Sequence, residues 1–222
     1  MTNPLRTFLV HSFLLLFALA PGAMAAAPAT ATCTIAFGES LEGLISGIEE
    51  GTNWSISNAN GGTVATGKGP SLCAHIFDRP GDYVVRIQEP PHADADECHH
   101  GRLPAQVEVH VAEVRMRFVL EDITFTEQIG ASYTEGMRMR VPVEIALYKE
   151  ATVEFEVPEA RSAGVGSTLM AHPVSPKVTL TSGTQVLEFT LSGSAERGSY
   201  VMFDLVDING RVVAYPWPTP IN

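Results

Sequence analysis

Positive charge and long apolar runs are scarce in this sequence. It holds 14 Lys and Arg residues against 25 Asp and Glu residues, and its formal net charge is −11 at pH 7. Nucleic acids and anionic membrane surfaces are bound mainly through Lys and Arg, so the acidic composition predicts neither kind of partner. No stretch after residue 25 approaches the length of unbroken apolar sequence that a membrane-spanning helix needs, so we predict no membrane insertion. No sequence signal indicates the oligomeric state.

Motifs of hydrolytic catalysis are also missing. The sequence contains no G-x-S-x-G turn and no H-E-x-x-H helix. Catalytic triads assemble in space and have no fixed order along a chain, so missing motifs do not exclude a triad. The sequence therefore predicts a protein that is not an enzyme, with no catalytic residues and no cofactor.

The first 25 residues are typical of a cleaved signal peptide. Arg6 is followed by an apolar stretch from Phe8 to Ala20, and Ala23-Met24-Ala25 matches the small-x-small pattern of a cleavage site. The apolar stretch is too short to cross a bilayer core of about 30 Å. We predict export to the periplasm, the cell surface or the medium of a bacterium.

Apolar residues in the rest of the chain alternate with a period of two, which is typical of half-buried β-strands. Gly, Pro, Asn and Ser separate the runs, so the sequence predicts an all-β protein built as a sandwich or barrel, with two tandem domains at residues 26–112 and 113–222. The alternating runs are Tyr83 to Ile87, Val107 to Val111, Val114 to Leu120, Met137 to Ile145, Val153 to Val157 and Leu187 to Leu191.

Two local patterns complete the prediction of secondary structure. Leu41, Leu44, Ile45 and Ile48 have helical spacing, but two glycines interrupt them, so a helix is disfavoured there. The segment Asp207-Ile208-Asn209-Gly210 stands between two apolar runs, and Asn209-Gly210 predicts a β-hairpin with a type I′ turn.

Residues 54–87 contain Trp54 at the start of one strand, a Gly61-Gly62 turn, a strand at His75-Ile76-Phe77, and the Pro80-Gly81-Asp82-Tyr83-Val84-Val85 segment. These features together resemble the PKD domain and its immunoglobulin-like relatives. The resemblance implies two tandem immunoglobulin-like β-sandwich domains, with Trp54 and Tyr83 filling the space between two sheets and Pro80-Gly81 forming a turn between strands. It also implies contacts with proteins or carbohydrates as the function.

Three cysteines in an exported chain predict one disulfide and one spare thiol. If the first unit is immunoglobulin-like, Cys33 begins its first strand, Cys73 begins its fifth strand, and Cys98 lies in the loop before its last strand. We favour a bridge between Cys33 and Cys98, because first and last strands often run side by side. A bridge between Cys33 and Cys73 is the second choice.

The segment PPHADADECHHG, residues 90–101, permits three interpretations. It is a solvated loop tethered by Cys98, a contact for a protein or glycan, or a site for Zn²⁺ or Cu²⁺. The spacing is not that of a structural zinc site, so the first interpretation is favoured. The candidate metal ligands are His92, Asp94, Cys98, His99 and His100.

Two short alternations of Arg with apolar residues, at Arg115 and Arg117 and at Arg138 and Arg140, suggest outward cationic strands. Pairing with carboxylates on neighbouring strands, at Glu144, Glu154 or Glu156, is favoured over recognition of an acidic partner.

These patterns predict an exported, non-catalytic structural or binding module that contacts a protein or a carbohydrate at the cell envelope. The alternative is a secreted or periplasmic metal-binding protein that uses residues 92–100. A pilus-type subunit is a weaker alternative, because it requires an unpaired sheet edge that no sequence can reveal.

Overall fold

The computed structural model describes residues 30–90 and 103–222. Several predictions fall outside these residues and stay predictions. They are the signal peptide at 1–25, the disulfide partner Cys98, and the candidate metal ligands His92, Asp94, His99 and His100.

The described residues are organised almost entirely as β-structure, which confirms the all-β class. They form fifteen strands and two short 3₁₀ turns, and they contain no α-helix. The 3₁₀ turns are Gly69–Leu72 and Leu120–Asp122. The strands are β1 (Thr30–Ala36), β2 (Asn53–Asn58), β3 (Thr63–Lys68), β4 (Gly81–Gln88), β5 (Gln106–Ala112), β6 (Val114–Phe118), β7 (Thr124–Phe125), β8 (Thr134–Leu147), β9 (Val153–Glu156), β10 (Ala160–Ala163), β11 (Met170–Pro173), β12 (Lys177–Leu180), β13 (Gly183–Gly193), β14 (Met202–Val206) and β15 (Val212–Pro216).

Strands β1 to β5 form one five-stranded sheet in the order β1-β5-β4-β2-β3. The pairing of β1 with β5 is parallel, and the other pairs are antiparallel. Alternate residues on each strand point to the same side of the sheet. In these strands the residues on one side are apolar, so that face of the sheet is apolar. Leu41, Leu72 and Phe77, from the segments between strands, pack onto that face and complete a hydrophobic cluster.

The predicted strand at His75-Ile76-Phe77 is reduced to a single isolated bridge between Glu39 and Phe77. The backbone N–H of His75 donates to the carbonyl of Leu72, in the 3₁₀ turn that precedes this segment. That N–H group is therefore not available to a neighbouring strand. Cys73 therefore follows a 3₁₀ turn and does not begin a strand. Phe77 is nevertheless buried, with 2% exposure.

Segment 41–48 forms no helix. Gly43 and Gly47 have φ values of 77° and 79°, which lie in the left-handed region and interrupt a right-handed helix. Leu41 is fully buried, whereas Leu44 is half exposed. Ile45 and Ile48 are partly buried and pack against the same cluster as Leu41, so the apolar spacing here marks core contacts and not a helix face.

Residues after β5 build a larger sheet in the order β15-β14-β10-β11-β13-β8-β6, with β7 also paired to β8. Strands β9 and β12 form a separate two-stranded sheet. The predicted alternation is confirmed here, because every other residue from Met137 to Ile145 and from Leu187 to Leu191 is buried. These residues belong to a second hydrophobic cluster, separate from the first.

The two sheets meet where β5 ends at Ala112 and β6 begins at Val114. The Phe37 and Tyr148 rings stand edge to face with centroids 5.5 Å apart. The Arg115 guanidinium lies 5.7 Å from the centroid of the Phe37 ring. A salt bridge of 2.8 Å joins Arg211 and Glu39. Side chains from both halves therefore contact each other across this junction.

The predicted hairpin is confirmed, because β14 and β15 pair on either side of residues 207–211. The predicted type I′ turn is wrong. Among the described residues only glycines have positive φ, so Asn209 does not adopt the left-handed conformation, whereas Gly210 does, with φ 78°. The Asp207 carboxylate accepts the N–H groups of Asn209 and Arg211, both at 2.8 Å. This matches a three-residue loop in which a type I turn precedes a left-handed glycine.

Candidate functional sites

An open groove of about 410 Å³ lies on the outer face of the first sheet. Val85 and Val109 are buried, so their neighbours along the same strands point to the opposite, solvent-facing side. Cross-strand pairing places the groove side chains in two rows. One row is Thr34, His110 and Asp82, and the other is Thr32, Glu108 and Val84.

The first row contains an ion pair or hydrogen bond between His110 Nδ1 and Asp82 Oδ1, at 2.7 Å. Both side chains are more than half exposed. In the second row, Glu108 pairs in register with Thr32, and its carboxylate accepts a hydrogen bond of 3.4 Å from Gln106 Nε2. The groove therefore offers hydroxyl groups, an imidazole and two carboxylates, which can all hydrogen-bond to a polar ligand.

A smaller recess of about 190 Å³ adjoins β1 and is lined by apolar side chains that include Ile45, Leu103 and Val107, with Cys33 among them. Burial raises the pKa of the Cys33 thiol, which disfavours the reactive thiolate. Cys33 is not bonded to Cys73, so the second-choice disulfide is absent. The favoured bridge from Cys33 to Cys98 stays a prediction.

A second polar constellation lies on the exposed face of the large sheet. His172 Nδ1 is 2.8 Å from Glu159 Oε1, and His172 Nε2 is 3.0 Å from Ser192 Oγ. Three neighbouring strands bring these residues together. Glu159 immediately precedes β10, His172 lies on β11, and Ser192 lies on β13 opposite Met170. Sequence reasoning missed this cluster because its members are distant in the chain and match no local motif.

Arg117, Arg138 and Arg140 all pair with carboxylates on neighbouring strands. Arg117 lies 2.9 Å from Glu144, and both Arg138 and Arg140 lie 3.3 Å from Glu188. The predicted pairing with Glu144 is therefore confirmed for Arg117, whereas the partner of Arg138 and Arg140 is Glu188, which was not among the predicted carboxylates. Glu154 instead lies 3.6 Å from Lys177. Arg115 instead stacks on Phe37 at the junction described above.

The residues predicted to be structural have the following positions. Trp54 is buried with 8% exposure. Pro80 and Gly81 lead into β4, where Gly81 has φ 137°. The Tyr83 hydroxyl donates to the carbonyl of Arg79 at 2.8 Å. Burial is the main cause that raises the pKa of Tyr83.

The described residues contain no group of three or more His, Cys, Asp or Glu side chains arranged to hold a metal ion. The predicted metal loop lies outside them, so the metal-binding alternative stays a prediction. The pilus-type alternative also stays a prediction. It requires an unpaired sheet edge, and β3 is an edge strand of the first sheet.

No protein-family model matches the chain, and no curated protein matches it. Across residues 30–90 and 103–222, no helix has the length and apolar character needed to cross a membrane.

Proposed function

We propose that this protein is an exported binding module whose first, immunoglobulin-like unit binds a neutral, hydroxyl-rich carbohydrate in the groove over β1, β5 and β4. The observation that carries the proposal is the groove itself. The groove is concave, and the register of the paired strands places several polar side chains next to one another in it. A pocket with a few convergent polar groups is the usual form of a small-ligand site.

The charges in the groove favour a neutral ligand over an anionic one. Asp82 and Glu108 are acceptors that suit the hydroxyl donors of a sugar, and Thr32 and Thr34 both donate and accept. The net charge of the chain is −11, so an acidic polysaccharide would be repelled.

Two features support an immunoglobulin-like first unit. Its first and last strands, β1 and β5, run side by side. The Tyr83 hydroxyl reaches back to the backbone of Arg79, which is the bond that defines the tyrosine corner of immunoglobulin-like sandwiches. The signal-peptide pattern of residues 1–25 supports export.

The test is to screen the mature protein on an array of neutral and acidic glycans and to measure the affinity of hits by calorimetry. Glu108→Gln and Thr34→Val change groove side chains and leave the buried face intact. Glu144→Gln is the matched control, since it changes an exposed, paired carboxylate on the other sheet.

We expect Glu108→Gln to weaken binding by about tenfold or more and Thr34→Val by about fivefold, because a hydrogen bond to a charged group contributes about 1.5–3 kcal/mol and a neutral one about 1 kcal/mol. The control should bind like the wild type. Groove variants that bind a glycan as tightly as the wild type, or a wild type that binds no neutral glycan at millimolar concentration, would refute the proposal.

A further inference from the structure

We propose that Ser192, His172 and Glu159 form a hydrolytic site for carboxylic esters, with Ser192 as the nucleophile. This inference is independent of the groove, which lies on the other sheet. It also opposes the sequence-based prediction that the protein is not an enzyme. Its basis is the chain of two short hydrogen bonds that links a hydroxyl, an imidazole and a carboxylate.

The hydrogen-bond pattern assigns the histidine tautomer. An ionised carboxylate only accepts hydrogen bonds, so His172 Nδ1 carries a proton and donates to Glu159. In the neutral ring Nε2 is then an acceptor, and the Ser192 hydroxyl donates to it across 3.0 Å. A nucleophile in contact with a base that is itself oriented by a third group is the arrangement that activates serine in acyl transfer.

The sheet holds these three side chains in place. Ala160 and Ala171 are buried opposite each other, so Glu159 and His172 point to the solvent-facing side of β10 and β11. Leu191 is buried on β13, so Ser192 shares that side. Paired strands hold His172 and Ser192 more precisely than loops would, and Glu159 directly precedes the first residue of β10.

The reaction is an ordinary two-step ester hydrolysis. Ser192 Oγ attacks the carbonyl carbon while His172 Nε2 accepts the hydroxyl proton. The bond to the leaving alkoxide then breaks, and His172 returns the proton to that oxygen, which leaves an acyl-serine. Water attacks the acyl carbon with His172 again as the base, and the carboxylic acid and free Ser192 are released.

The surroundings indicate which esters fit. The His172 and Glu159 side chains are 44% and 53% exposed, so the site is open and suits an acyl group that projects from a larger molecule. Arg161 is exposed and pairs in register with Met170, which in turn pairs with Ser192. It places a cation on the same face as Ser192 but two strands away, with Asp204 opposite it on β14, so its long side chain would have to reach across β11 to stabilise the negative oxygen of the intermediate.

The experiment uses the mature protein with two probes, p-nitrophenyl acetate for turnover and a fluorophosphonate for covalent labelling mapped by mass spectrometry. The variants are Ser192→Ala, His172→Gln, Glu159→Gln and Arg161→Gln. Ser194→Ala is the matched control, because Ser194 lies two residues further along and its hydroxyl contacts Thr168 and not a histidine. Thermal melting confirms that each variant is folded.

We expect the fluorophosphonate to label Ser192, Ser192→Ala to abolish hydrolysis above background, and His172→Gln to lower kcat/KM by about 100-fold or more, the usual contribution of a general base. Glu159 acts as a positioning residue. Glu159→Gln should lower kcat more than it raises KM, and it should also shift the His172 Nδ1–H proton resonance. If Glu159 had a purely structural role, a change in this resonance would not be accompanied by a change in kcat. Arg161→Gln should lower kcat while labelling persists.

Hydrolysis that persists in folded Ser192→Ala, or labelling of Ser192 no faster than Ser194, would overturn the proposal. The test separates this site from the groove, because Glu108→Gln should leave hydrolysis unchanged and Ser192→Ala should leave glycan binding unchanged.

Discussion

Replacing Gly67 with alanine should destabilise the first half of the protein, because the Trp54 ring lies directly on that glycine. Trp54 and Gly67 are paired across β2 and β3. A Cβ atom at position 67 would overlap Trp54 Cζ2 and stand 2.6 Å from Cε2. The ring would have to move by more than about 1 Å to restore an ordinary carbon–carbon contact.

The expected cost follows from this overlap. Overpacking a well-packed core costs about 1–3 kcal/mol, and removing a glycine from a strand returns roughly 0.5–1 kcal/mol of backbone entropy. We therefore expect a net loss of about 1–2 kcal/mol. Complete expulsion of the ring would approach the roughly 3–5 kcal/mol of a Trp→Ala substitution.

The assay is urea unfolding followed by tryptophan fluorescence. The chain has two tryptophans, so a Trp217→Phe background leaves Trp54 as the reporter. Gly130→Ala is the matched control, because a Cβ there meets only Ser132 Oγ at 3.9 Å. A Gly67→Ala protein within about 0.5 kcal/mol of its parent, with unchanged Trp54 emission, would refute the reasoning.

Two further predictions concern the second half. The Thr179 hydroxyl donates to the Glu154 carboxylate across 2.6 Å, and this hydrogen bond is the main cause that lowers the pKa of Glu154. The ionised carboxylate therefore stabilises the fold above its ordinary pKa of 4.5. That stability is lost as the pH falls through the lowered pKa. Thr179→Val should lower the Tm at pH 7, and the difference from wild type should narrow below pH 4.5; a constant difference would contradict this. Asp207→Ala should lower the free energy of unfolding, measured in urea, by about 1–2 kcal/mol, because two turn N–H groups lose their acceptor. Asp207→Asn should lower the free energy of unfolding less. An Asp207→Ala urea midpoint equal to that of the wild type would argue against this role.

Much of the secondary structure could be predicted from local pattern. The alternation of Leu187, Phe189 and Leu191 identified the buried face of β13, because the side chains of a strand alternate between its two faces. Asp207 to Gly210 likewise marked a hairpin, although the turn type depended on which residue adopts positive φ. The predicted strand from His75 to Phe77 does not form, because the backbone N–H of His75 is bonded within the preceding 3₁₀ turn and cannot donate to a neighbouring strand.

Composition and periodicity by themselves determined that this chain is acidic, all-β and rich in short alternating strands, because burial of alternate side chains is a local property. Both candidate sites were decided only by tertiary structure. Asp82 meets His110 across 28 positions of sequence, and His172 meets Ser192 across 20. Such contacts depend on which strands become neighbours and in what register, and that choice is made by the packing of the whole sheet.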